Sequence, residues 1–267
     1  MVVPSHSSTE AVAPRLPIDP HDLIAGLGRG LAVIESFDDG HPRMTVAEVA
    51  TRTGIPRSAA RRHLLSLCHF GYADSDGKRF WLAPRVLRLG QSYLEAARLP
   101  RLVQPFIQRL SLATGETVNV SLLDGHEVVY VARSNSPRVV SIGFYAGARV
   151  PAHVVGPGTV LLAAWSDDAL QSWVAAHEFS AFTASTVVDR DAFLEQVRVS
   201  RGSDAWISRG RLDPGLVGVA VRLTDRRGEV RAAIGMTLQA AFWDDARIAA
   251  ELIPALQETA GILRPLL

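Results

Sequence analysis

The residues best suited to chemistry in this chain lie between Met44 and Leu82, and they are cations rather than nucleophiles. Arg57, Ser58, Arg61 and Arg62 follow a Gly54-Ile55-Pro56 turn, while Ala60, Leu64 and Leu67 recur among them at i, i+4 and i+7. That spacing predicts a helix with one buried apolar face and a basic face turned outward. Beyond it, the polar run Asp74-Ser75-Asp76-Gly77-Lys78-Arg79 separates Tyr72-Ala73 from Phe80-Trp81-Leu82, and Asp-Gly between apolar residues signals a tight hairpin. Guanidinium groups on a helix face can pair with base edges, and cations at a hairpin tip can reach phosphate.

The elements that must hold these groups are legible on either side. Thr45 precedes an apolar-periodic run (Val46, Val49, Ala50) and Glu48 stands three residues on, the pattern of a capping box. Gly54 suits the end of that helix, and Pro56 is tolerated at the first turn of the next. Helix, tight turn, basic helix and β-wing make a winged helix-turn-helix, whose second helix enters the DNA major groove. Double-stranded DNA is therefore the expected partner, with Thr45, Arg57, Ser58, Arg61, Arg62, Lys78 and Arg79 as candidate contacts.

The rest of the chain sets bounds. Its 267 residues, 48% apolar, suffice for two domains. Net charge is only +1, but from Gly40 to Gly90 nine basic residues face three acids, whereas from Pro100 onward sixteen Arg face seventeen acids. A basic module is thus joined to a near-neutral one. Cys68, the single cysteine, rules out an internal disulfide and reads as packed in the core. No run has the length of a membrane span, and no secretory leader is recognisable, so a cytoplasmic protein is expected. Residues 1–20, rich in Pro, Ser and Thr, read as a disordered tail.

Enzymatic signatures are missing: there is no G-x-S-x-G, H-E-x-x-H, phosphate-binding G-x-x-x-x-G-K-[ST] or C-x-x-C, and neither cofactor nor metal is expected. Gly26, Gly28 and Gly30 lack the preceding strand of a dinucleotide loop and fit a helix start better. Val155-Gly156-Pro157-Gly158-Thr159, before a predicted helix at Thr159–Trp165, reads either as an anion-cradling loop or as an ordinary turn. His153 fits a hydrogen-bonded structural residue or the wall of a pocket.

Alternation predicts strands over 117–123 and 128–132, a third candidate over 139–144, and a second hairpin from Gly218–Thr224 and Val230–Leu238. Helices are expected at 169–176, 191–200 and 248–267. With the helical N-terminal part, this is an α+β chain. Val86, Leu89, Tyr93 and Ala97 form a stripe on a linker helix that suits pairing with a second copy.

In order and spacing, several of these segments resemble the IclR-type bacterial transcriptional regulators over nearly all of residues 25–267. The resemblance is carried by Arg29-Gly30-Leu31-Ala32-Val33, Gly54 through Arg62, Gly71-Tyr72, Leu122-Leu123-Asp124-Gly125, Pro151-Ala152-His153, and Pro214-Gly215-Leu216 with Val219-Ala220-Val221. Phe80 through Gly90 looks most like regulators of protocatechuate and related aromatic-acid catabolism.

The resemblance implies a winged helix-turn-helix at 21–84, a dimerising linker helix at 85–99 and a GAF-like antiparallel-sheet effector domain at 100–267. It further implies a homodimer or dimer of dimers, binding palindromic operators under control of a small organic or aromatic acid. Ligand-contacting positions transfer to Gly156, Pro157, Gly158, Ser208, Leu216, Gly218, Gly235 and Thr237, with His153 beside them. Arg211, Val217, Gly218 and Gly235 depart from the family pattern in a way that favours a bulkier, less polar effector than a short keto acid. The competing reading is a GAF-like small-molecule-binding protein whose winged helix makes protein contacts, and the basic outward face argues against it.

Overall fold

The computed structural model describes residues 18–134 and 144–267. The expected tail, apart from 18–20, and most of the strand candidate over 139–144 fall outside the described residues. The chain divides into two units, Met1–Tyr93 and Leu94–Leu267.

The first unit is built from α1 (Ala25–Glu35), α2 (Val46–Thr53), α3 (Arg57–His69) and a wing of β1 (Ala73–Ser75) and β2 (Phe80–Leu82). The capping box is complete: Thr45 N donates to Glu48 Oε2 at 2.7 Å and Glu48 N to Thr45 Oγ1 at 3.4 Å. The backbone bond from Thr45, foremost, holds the Glu48 carboxyl below its usual range. Gly54 closes α2 in the left-handed conformation, with φ of 68°. Val33, Met44, Val49, Ala60, Leu64 and Phe80 form the core. Met44 pairs with Phe80 in an isolated bridge, so the wing is tied to the chain ahead of α2. Arg52 adds a staple, donating to the Ser36 carbonyl and to Asp38 Oδ2 at 2.6 Å.

Helix α4 (Leu87–Ala96) spans the division between the units, and Leu87, Leu89 and Tyr93 are exposed on it.

The second unit begins with α5 (Arg98–Thr114), which starts earlier than its apolar pattern suggests. Pro100 lies in its first turn, where a missing N–H costs no helical bond. Six antiparallel strands follow, in the order β5-β4-β3-β8-β7-β6: β3 (Thr117–Asp124), β4 (Glu127–Arg133), β5 (Arg149–Pro151), β6 (Ala205–Arg209), β7 (Leu216–Thr224) and β8 (Val230–Gln239). Helices α6 (Gly156–Leu162), α7 (Asp167–Ala176) and α8 (Arg190–Arg201) lie between β5 and β6, and a short turn α9 (Asp245–Arg247) leads to α10 (Ile253–Leu263).

Alternation sorts the strands onto two faces. Val118, Val120, Val217, Val219, Ile234 and Met236 pack with Val103, Ile107 and Leu256 of α5 and α10. Ala220 and Ala233 face the other way, against Val160 and Leu161 of α6. The single closing helix expected over 248–267 is broken instead: Pro254 offers no amide, and Ile253 N reaches back to Ile248 O across a π turn at Ile248–Leu252.

Candidate functional site

In the first unit, the sequence places the basic groups where the fold exposes them. Arg57, Ser58, Arg61 and Arg62 are all exposed on α3, whose Ala60 and Leu64 are fully buried. Lys78 and Arg79 are exposed at the wing tip. That tip is ordered locally: Asp76 Oδ1 accepts from Lys78 N at 2.9 Å and Arg79 N at 2.7 Å, and these bonds, Arg79's foremost, lower the Asp76 carboxyl. Gly77 takes φ of 90°, which the turn requires. Thr45 is placed differently from the other candidates. It is the N-cap of α2, and its hydroxyl also donates to Glu48 Oε2 at 2.8 Å, so this side chain serves the cap.

The second unit holds a cavity on the face of the sheet opposite α5 and α10. It encloses about 490 Å³ of empty space, the open mouth included. Gly218 of β7 opens the floor, with Ser208, Thr237 and Leu216 beside it, while Gly235 of β8 also lines it but lies so close to β7 that a Cβ there would meet the Val219 carbonyl oxygen at 2.5 Å. Val154, Val155, Gly156 and Pro157 line it from the start of α6, and Tyr130 stacks on Phe144 at 4.8 Å to form an aromatic wall. Burial pushes the Tyr130 phenol well above its usual range. The lining is thus mainly apolar, with few polar groups.

Two expected members are elsewhere. Gly158 does not line the cavity: its amide is spent on Val155 O at 3.1 Å, and a Cβ there would sit 2.0 Å from the Ala152 carbonyl oxygen. It is a packing glycine under the turn that precedes α6. Pro157, which has no amide, adds no donor to an anion cradle in this loop. His153 is also absent from the lining, fully buried and bonded to Ser180 O and His177.

The sequence reading missed the polar groups that matter most here. Arg211 lines the cavity, and its Nη1 is buried with no hydrogen-bond partner among the described residues. Desolvation by burial lowers its proton affinity, yet a guanidinium keeps its charge in proteins. Asn119 of β3 lines the same space, and its Oδ1 is likewise buried without a partner. A cation and an acceptor left unpaired in an apolar cavity each carry a desolvation cost that a bound ligand can offset. The signal was present, because Arg211 stood out as a departure from the family pattern, but periodicity does not reveal which way a loop residue points. Among the described residues no cluster of three or more His, Cys, Asp or Glu could hold a metal ion, and no helix is long and apolar enough to cross a membrane.

A winged helix with an exposed basic second helix, joined to a sheet domain enclosing a small-molecule cavity, defines the class of two-domain transcriptional regulators. The chain belongs to the IclR family of these proteins. The family model described as "Bacterial transcriptional regulator IclR C-terminal" matches residues 91–263, and that described as "IclR helix-turn-helix domain" matches residues 26–77. The p-hydroxybenzoate hydroxylase transcriptional activator of Acinetobacter baylyi is 38% identical, over 98% of this chain and 96% of its own length. A crystal structure of a transcriptional regulator from Rhodococcus sp. RHA1 is 36% identical, covering 90% of this chain and 96% of that one, with a TM-score of 0.75. The inducer-binding domain of a PobR double mutant from Acinetobacter, in complex with 3-hydroxybenzoic acid, is 32% identical at a TM-score of 0.61, covering 64% of this chain and all of that one.

Proposed function

We propose that this regulator binds operator DNA through its winged helix and that a small aromatic monocarboxylate in the cavity controls that binding. The observation that carries the reading is Arg211, a residue of the cavity lining with a buried and unpartnered guanidinium nitrogen. A carboxylate would pair with it, the ring would lie over Gly218 and Gly235, and a ring hydroxyl would donate to Asn119 Oδ1. Ser208 and Thr237 supply further hydroxyls. Such a buried pair repays its desolvation only where good geometry and further hydrogen bonds satisfy both partners. The relatives described as a p-hydroxybenzoate hydroxylase activator and a 3-hydroxybenzoic acid complex support the same chemical class. On this reading the protein acts by binding rather than catalysis, and in the cytoplasm. Calorimetric titration of the full-length chain with 4-hydroxybenzoate tests it, with saturable one-to-one binding expected and no heat of binding as the contrary result.

On the DNA side, Arg57 and Arg61 would read base edges while Lys78 and Arg79 hold phosphate. Replacing Arg57 and Arg61 by Ala should cost about 1–3 kcal/mol each if both read bases. Lys78→Ala should weaken all sequences alike and lower the salt slope of binding by about one. Gel shifts at several salt concentrations separate the two effects. The exposed Leu87, Leu89 and Tyr93 of α4 favour a homodimer, or a dimer of dimers, presenting two recognition helices to a palindrome. Sedimentation of a monomer at micromolar concentration would contradict that assembly.

A further inference from the structure

Arg211 reaches the cavity from a loop, and two threonines distant in sequence hold the backbone from which it starts. The loop, residues 210–216, joins β6 to β7 and is closed at its neck, where Gly210 N donates to Leu216 O at 2.8 Å. Residues 179–186, between α7 and α8, lie against it. Thr183 Oγ1 donates to Gly210 O and Thr186 Oγ1 to Arg211 O, each at 2.6 Å.

A hydroxyl has one proton to give, so each threonine is committed as a donor to one carbonyl. Both are oriented by amides from which they accept. Thr186 Oγ1 receives Thr183 N at 2.9 Å and Phe182 N at 3.1 Å, and Thr183 Oγ1 receives Ser185 N at 3.0 Å. With these amides on one side, the two protons are turned toward the loop.

Gly210 O and Arg211 O belong to the peptide planes on either side of the Arg211 Cα. A peptide unit is planar, so a residue has only two soft backbone dihedrals, and holding both flanking planes fixes them together. The direction in which the Arg211 side chain leaves the backbone is then set as well. That direction matters because Nη1 of the guanidinium is buried in the cavity lining without a hydrogen-bond partner to steer it. An arginine has many rotamers to lose, and fixing its base in advance removes part of that loss from the binding step.

We propose that Thr183 and Thr186 are positioning residues for effector recognition: their hydroxyls aim the Arg211 guanidinium into the cavity and so make the site prefer a carboxylate to its neutral amide. This rests on the reading of Arg211 as the carboxylate anchor. An acid gains from the cation only where the guanidinium fork meets it, so a displaced Arg211 costs an acid more than an uncharged ligand of the same shape. Threonines that merely braced the chain ahead of α8 would cost both ligands alike.

Calorimetric titration of the full-length protein with 4-hydroxybenzoate and with 4-hydroxybenzamide measures this preference. Thr186→Val keeps the side-chain shape and removes the proton. It should weaken the acid about tenfold, the cost of ordering a rotamer-rich side chain at the moment of binding, and the amide by less than about twofold. Thr186→Ser returns the hydroxyl and should restore the wild-type preference, and Thr183→Val should act as Thr186→Val does. Equal losses for the two ligands, or an unchanged acid affinity, would overturn the assignment. Nitrogen relaxation of Arg211 Nε–H in the unliganded wild type, its signal identified by its absence from Arg211→Gln, is a readout that needs no threonine variant. An order parameter near about 0.85 is expected, and a value below about 0.6 that rises only with ligand contradicts an arginine aimed in advance. Should 4-hydroxybenzoate fail to bind wild type, the aromatic-acid reading falls, and the same signal still tests the threonines. Greater mobility of Arg211 in Thr186→Val than in wild type supports their role, and equal mobility overturns that role alone.

Discussion

Arg211→Gln is expected to weaken 4-hydroxybenzoate binding by two or more orders of magnitude while leaving the unliganded protein's operator affinity unchanged. Arg211 supplies the cation among the lining residues, and Asp213, which lines the cavity too, leaves an incoming carboxylate no other positive charge to pair with. Removing one partner of such a pair costs about 2–5 kcal/mol, because the other charge is then buried without compensation. Glutamine keeps donors near the site but not the charge or the forked geometry, so little should be recovered. Asn119→Leu should cost less, about 1–3 kcal/mol, since it leaves a hydroxyl rather than a carboxylate unpaired. Calorimetry of both variants measures the ranking, and equal losses would argue against Arg211 as the anchor.

Gly158→Val is expected to damage the fold rather than block the ligand. A Cβ at this position would sit 2.0 Å from the Ala152 oxygen, 2.7 Å from its carbonyl carbon and 2.8 Å from its Cα. All three are backbone atoms, and every residue of α6 is buried, so neither side can yield cheaply. Overpacking in a tight core typically costs about 1–3 kcal/mol, and a clash with fixed backbone belongs at or above the top of that range. At roughly 2–4 °C per kcal/mol for a domain of this size, Tm should fall by about 10 °C. Gly218 gives the contrasting case. A Cβ there would meet Ser208 Oγ at 3.6 Å, an ordinary contact, so Gly218→Ala should keep its Tm and narrow the cavity alone. Thermal unfolding of the two variants side by side checks this, and equal Tm values would contradict the packing role of Gly158.

These two residues also show what could be read from the chain and what could not. The winged helix was legible because its information is local: the Thr45 cap, the Gly54 stop, the α3 period and the Asp76-Gly77 turn each lie within a few residues. Two of the central strands, β7 and β8, were legible from alternation and the polar turn between them. Strand β6 was not. Ala205–Arg209 is short, and its place at the sheet edge is set by pairing with β7. The cavity was legible in part, since Gly156, Pro157, Ser208, Leu216, Gly218, Gly235 and Thr237 all line it. Gly158 and His153 were misplaced because their neighbours along the chain are cavity residues while their side-chain directions point into packed interior. Arg211 is the converse case, a loop residue whose guanidinium is turned inward through contacts far apart in sequence.

The central claim is that an acid bound at Arg211 changes the protein's hold on DNA, and one measurement addresses it directly. Full-length protein is titrated onto a labelled operator duplex, selected by the protein itself from random sequences, with and without saturating 4-hydroxybenzoate. A coupling of about 1–3 kcal/mol would shift wild-type operator affinity about 5- to 150-fold. Arg211→Gln should bind the free operator as wild type does and show no shift at the same ligand concentration. Wild-type affinity that does not move with the acid, or an Arg211→Gln variant that responds as wild type does, would contradict the account.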